Sequence, residues 1–195
     1  MKPTEKTLEV AAPISSVRPY VLQAAAVTGF AVATALSAHV RIPLPFTPVP
    51  ITLQTLVVLL AGLTLGPGGG AASQALYLGA GLAGLPVFAA GAGAVFGPTG
   101  GYLIGFVLAA AVAGAIARRR GDTVGIALGF AAGTAVIYAC GVAWLCALTH
   151  APAAEVVAVG VLPFLAGDAL KLVAAVGVAK VARPAWRALS HGETR

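Results

Sequence analysis

From Val156 to Val181 the sequence is an apolar run with Gly167-Asp168-Ala169-Leu170-Lys171 inside it. Read as a helix, a run of that length can cross a bilayer, whose hydrocarbon core is roughly 30 Å thick. Asp168 lies 12 residues into the run and Lys171 15, so both are expected near its middle. A charge at the centre of a membrane helix costs about 2.5 to 3.5 kcal/mol, so charges there are rare and usually functional. Three residues apart on a helix, the two side chains share a face and can pair. The pair is then either a structural tie to neighbouring helices or a polar site facing a cavity in a membrane protein.

Composition favours the membrane setting. Of the 195 residues, 59% are hydrophobic and only 9% charged, and mean hydropathy is +0.95. Soluble domains carry about 25% charged residues, so an all-α integral membrane protein with a single domain, residues 1–195, is expected. In a soluble chain the net charge of +6 would suggest nucleic acid. Here the basic residues punctuate apolar runs, so they report orientation, and no nucleic-acid partner is expected. Cys140 and Cys146 share one run. Six residues of helix part them by about 9 Å, too far for a disulfide.

Taken in order, residues 1–19 are a polar N-terminal segment bearing Lys2, Lys6 and Arg18, and Val21 to Val40 is the first expected span. The apolar stretch Val21–Leu36, with small residues at Ala35 and Ala38, has some features of a cleavable signal. Such a leader would be long, and the segment serves better as a span. Ala25, Gly29, Ala33 and Ser37 recur every four residues along it. Such small-residue stripes let helices approach closely, so this face is expected to dock a helix or another subunit. Arg41 to Pro50 holds four prolines, which forbid helix and favour a rigid loop over the membrane surface. Ile51–Leu65 is a second span with Gln54, Gly66–Gly70 a turn, and Ala71–Leu85 a third span with Gln74 and Tyr77. Gly66–Gly70 is no phosphate loop, because the Lys-Ser/Thr that completes one is missing. The Gly- and Ala-rich segment Pro86–Thr99 is a candidate to re-enter the membrane, where its backbone must be buried or line a cavity. Gly100–Ala117 and Thr123–Leu148 are the fourth and fifth spans, with Arg118, Arg119 and Arg120 between them, and Thr149–Glu155 leads to the sixth. Residues 183–195 form a tail.

Six spans place both termini on one side. That side carries Lys2, Lys6, Arg18, Arg118, Arg119, Arg120, Lys180, Arg183, Arg187 and Arg195, and the other only Arg41. The bias predicts a bundle of six transmembrane helices with both termini cytoplasmic. The Pro-rich loop, the 86–99 segment and the loop before the last span then meet outside, over a cavity floored by Asp168 and Lys171.

Enzymatic signatures are missing. The sequence has no Ser nucleophile elbow and no HExxH pair, and His39, His150 and His191 fall at span ends or in the tail. No catalytic residue, metal or cofactor is expected. With Asp168 the only acid within a span, a carboxylate relay is unavailable. Trp144, Trp186 and Tyr20 suit an interfacial belt. What remains is a small-molecule pocket with few polar groups: Asp168, Lys171, Gln54, Tyr77, Thr99 and Tyr102, with Gln74 a further candidate.

Four motifs, in order, resemble a known family: IPLPFTPVPITLQTLVVLLAGLTLGP (Ile42–Pro67), LYLGAGLAGLPVFA (Leu76–Ala89), GPTGGYLIGF (Gly97–Phe106) and GDALK. The chain resembles BioY, the biotin-specific substrate-binding subunit of energy-coupling factor (ECF) transporters. The resemblance implies a six-helix bundle in a prokaryotic plasma membrane that binds biotin from outside. It also implies docking onto a transmembrane coupling subunit driven by two cytoplasmic ATPase subunits. By position, Asp168 and Lys171 match the family's ligand-contacting pair, and Ala25, Gly29 and Ala33 its docking face. Ala89 to Ala94 offers no Asn or Arg, so any ligand contact there falls to the backbone. Two other classes stay open: a secondary carrier or subunit for another small organic acid or vitamin, and an intramembrane enzyme using Asp168, Lys171 and a Tyr. Lipid contact follows from the spans, and a homo-oligomer is left open.

Overall fold

The computed structural model describes residues 12–89 and 91–191. Its helices are α1 (Ala12–His39), α2 (Gln54–Leu82), α3 (Gly100–Arg120), α4 (Thr123–Thr149), the short α5 (Ala153–Gly160) and α6 (Leu165–His191). Between α1 and α2, strands β1 (Arg41–Ile42) and β2 (Ile51–Thr52) pair antiparallel, with Arg41 opposite Thr52. Among the described residues, five helical stretches are long and apolar enough to cross a membrane, counting α2 as one and α5 with α6 as one. Large side chains such as Leu170, Val173 and Val181 are more than 70% exposed on the outer surface of α6. That outer surface suits lipid, because soluble monomers rarely leave such apolar area open.

α2 is two arms. Gly66 has φ 81° and ψ −179°, a conformation open essentially to glycine alone. Pro67 follows, and its missing N–H is tolerated at the first position of a new helix. The chain doubles back there: Gln54 Nε2 donates to the Tyr77 hydroxyl at 2.7 Å across 23 residues of sequence, which a straight helix would part by about 35 Å. A methyl group on Gly70 would collide with the backbone of Gly62, and one on Gly62 with the backbone of Ala110. Residues 54–65, residues 67–82 and α3 therefore pack backbone against backbone. The expected Gly66–Gly70 turn contracts to Gly66–Pro67, and helix resumes before Ala71.

The sixth expected span is also divided. α5 ends at Gly160, a 3₁₀ turn spans Leu162–Phe164, and α6 begins at Leu165. Pro163 lies in that turn and cannot supply the N–H a continuous helix needs. Asp168 therefore stands in the first turn of α6, which corrects the expectation that it sits mid-helix. There the positive end of the helix dipole favours its carboxylate.

Helix also claims residues expected as polar flanks. α1 starts at Ala12, within the 1–19 segment, and α6 runs to His191 through most of the 183–195 tail. Lys2, Lys6 and Arg195 lie outside the described residues. α3 stops at Gly121, whose φ of 75° makes a left-handed cap, and Asp122 caps α4 by accepting the Gly125 N–H at 2.7 Å. That hydrogen bond, with a lesser contribution from Arg120, holds the Asp122 carboxyl below its ordinary pKa.

Candidate functional site: a polar floor in an apolar cavity

The reversal at Gly66 puts the starts of α2, α3 and α6 at one end of the bundle. A cavity opens there, with about 630 Å³ of empty space when its open mouth is included. Its lining is mostly apolar with a few converging polar groups, as in small-ligand sites. Phe88, Leu103, Phe106, Ile137 and Phe164 supply apolar wall.

The polar floor comes from three helices. Lys171 Nζ lies 2.9 Å from Asp168 Oδ1 and donates to Thr55 Oγ1 at 2.8 Å. The Tyr138 hydroxyl donates to the other carboxylate oxygen, Oδ2. Asp168 and Lys171 are only 7% and 9% exposed, so each charge depends on the other and on these partners for the solvation it has lost. Thr55 ties the pair to α2, and Tyr138 ties it to α4.

The other expected residues fall into three groups. Gln54, Thr99 and Tyr102 line the cavity beside Asp168 and Lys171. The Tyr102 hydroxyl donates to the Gly160 carbonyl at 2.9 Å, and the Thr99 hydroxyl to the Ala94 carbonyl at 3.1 Å. Tyr77 stands one layer behind the wall: it is buried, accepts from Gln54 and donates to the Val87 carbonyl at 3.3 Å. Gln74 is away from the cavity, against Thr34 and Ser73 at the packing of α1 on α2.

Sequence reasoning missed Thr52, Thr55 and Tyr138, all of which line the cavity. Tyr138 left a signal, a phenol within an otherwise apolar run, whose hydroxyl needs a partner away from water. Thr55 left none, since a threonine can satisfy itself on its own helix backbone.

Two loops roof this end. Arg41 donates from Nη1 to the Ala89 carbonyl, linking the strand pair to the segment after α2. Trp144 Nε1 donates to the Gly97 carbonyl at 2.9 Å, so this residue, expected in an interfacial belt, also pins that segment to α4. On α1, Ala25 and Gly29 are exposed, Ala33 is half-buried and Ser37 is buried. A methyl group on Gly29 would meet no atom within 4 Å.

The sequence model of the BioY family matches residues 6–189. This chain belongs to the BioY family. The biotin transporter BioY of Thermotoga maritima is 40% identical over 141 residues, covering 71% of this chain and 83% of that protein. A probable biotin transporter BioY of Pyrococcus horikoshii is 37% identical, covering 77% of this chain and 90% of its own length. Among solved structures, the S-component for biotin from an ECF-type ABC transporter superposes with a TM-score of 0.78 at 26% identity. The match covers 85% of this BioY-family chain and 92% of that one.

Proposed function

We propose that the chain is the biotin-capturing membrane subunit of a vitamin uptake transporter, delivering biotin inward with an ATP-driven coupling module. The observation that carries this reading is the Asp168–Lys171 floor beneath apolar walls, on a fold similar to a biotin S-component. Biotin's ureido ring has two N–H donors and one carbonyl acceptor, and its bicyclic body and thioether are apolar. Asp168 accepts the N–H groups, and Lys171 donates to the carbonyl, in charge-assisted hydrogen bonds out of water. Thr55 and Tyr138 hold the two charged groups in place. Gln54, Thr99 and Tyr102 shape the wall, and Tyr77 acts through Gln54.

In the membrane, the two arms of α2 serve as separate crossings, giving six. At about 18 and 24 Å the arms are shorter than the hydrocarbon core, so the loops at the cavity end complete each crossing. The Lys and Arg bias puts both termini in the cytoplasm and the cavity mouth outside, in the plasma membrane of a prokaryote. Ala25, Gly29 and Ala33 meet the transmembrane coupling subunit, and two ATPase subunits supply the energy.

Mass spectrometry of the small molecule that co-purifies with the detergent-solubilised protein tests the ligand. Unmodified biotin is expected. A different vitamin would reassign the substrate, and a chemically altered biotin would point to an enzyme.

A further inference from the structure

We propose that Arg41 forms a carboxylate subsite at the cavity mouth and holds the anionic tail of the ligand whose ring rests on Asp168 and Lys171. This inference rests on the biotin reading above and extends it to the half of the ligand that the floor does not address.

Biotin carries one negative charge at neutral pH, on its valeryl tail. Asp168 and Lys171 neutralise each other at 2.9 Å, so the floor offers the tail no net counter-charge. Wall groups supply no counter-charge: Thr52 and Gln54 line the cavity but are neutral, with the Thr52 hydroxyl given to Gln54 Oε1 and one Gln54 amide hydrogen to Tyr77. The hydroxyl hydrogens of Thr99 and Tyr102 are already given to the Ala94 and Gly160 carbonyls, and 89–94 holds only Ala and Gly. A carboxylate left without donors or a cation would lose its hydration for nothing.

Arg41 has what the tail lacks. Among the described residues it has no acidic group within ion-pairing distance, the pairs there being Arg120 with Asp122 and Lys171 with Asp168. Its backbone is fixed opposite Thr52 in the β1–β2 pair, and Thr52 lines the cavity. Its guanidinium donates to the carbonyl of Ala89, which lines the cavity from the opposite loop. Arg41 is exposed and stands beside the lining, joining two segments that both contribute to the cavity wall. The bond to Ala89 uses one of five N–H donors, leaving a fork free to receive a carboxylate.

Orientation agrees with this. The ureido ring is drawn to the buried pair at the floor, so the tail extends toward the loop residues Val49, Pro50 and Ala89, which line the same cavity. A carboxylate bound there joins the strand pair to the segment after α2 more firmly than the Ala89 bond alone. The subsite therefore selects the free acid over its esters and amides, and helps to close the loops over bound ligand.

The test compares biotin with biotinamide, in which the ring is unchanged and the tail is neutral, for the wild type and Arg41→Gln in detergent. The wild type should favour biotin. Arg41→Gln should weaken biotin by roughly 10- to 100-fold, the range for losing hydrogen bonds to a charged group. Biotinamide binding should change less than about threefold, so the preference for the acid collapses. Equal weakening of both ligands would assign Arg41 to loop closure alone, and unchanged biotin binding would remove it from the site; either overturns the proposal. Asp168→Asn serves as the contrast, since it should weaken both ligands together. A wild type that binds neither ligand defeats the biotin reading itself, a result distinct from failure of the Arg41 assignment.

Discussion

Gln54 Nε2 donates to the hydroxyl of Tyr77 at 2.7 Å, joining the first arm of α2 to the second. The bond fixes a cavity-lining amide through a phenol that is itself 2% exposed. It therefore connects the reversal at Gly66 to the shape of the site.

Tyr77→Phe removes the acceptor for Gln54 and the donor to Val87. Leaving a buried donor unsatisfied costs about 1 to 3 kcal/mol. Thermal unfolding in detergent should fall measurably, while biotin affinity drops less than it does for Asp168→Asn. Lost binding at unchanged stability would instead mean that Tyr77 touches the ligand directly.

The bend itself predicts a contrast between two neighbouring glycines. Gly66→Ala places a side chain in a conformation that costs about 1 to 3 kcal/mol, although Arg118 is the nearest group to the new methyl, at 3.8 Å. Gly68→Ala meets no atom within 4 Å and lies at ordinary φ, so it should leave stability unchanged or raise it by about 0.4 to 1 kcal/mol. Unfolding midpoints decide it, and equal behaviour of the two variants would show that the bend is unstrained.

How much of this was legible follows from what each signal encodes. Charge spacing on GDALK gave the pair its shared face, because a three-residue offset on a helix has one geometric meaning. The glycines and Pro67 marked the reversal, although the sequence could not say that a single residue turns the chain. Pro163 was visible, yet the apolar run masked it, since hydropathy is blind to backbone geometry. Thr55 and Tyr138 were out of reach for another reason. They join Asp168 and Lys171 only through helix packing, across 116 and 30 residues of sequence respectively. Tyr77 and Gln74 lie on the expected helix, but which of its faces meets the cavity depends on the fold-back at Gly66.

The outward face of α1 separates binding from coupling. Space beside Gly29 is open, so Gly29→Leu should fold and bind biotin normally in isolation. If that face meets the coupling subunit, the added bulk blocks close helix approach and biotin uptake in cells falls. Normal uptake by this variant would move the docking surface elsewhere.

The decisive variants are those at the floor. Asp168→Asn should weaken biotin binding by about 2 to 5 kcal/mol, the range for breaking one side of a buried charge pair at a binding site. Lys171→Ala should do likewise, because it leaves Asp168 charged with only the Tyr138 hydroxyl beside it. Either single change also threatens the fold, since an uncompensated buried charge is destabilising in its own right. The double variant Asp168→Asn with Lys171→Met removes both charges and separates the two roles. A purely structural pair predicts that folding recovers and that biotin still binds, the apolar walls being intact. A ligand-binding pair predicts a folded protein, judged by its unfolding midpoint, that no longer captures biotin. Nanomolar biotin binding by the folded double variant would sink the assignment of Asp168 and Lys171 to the ureido ring.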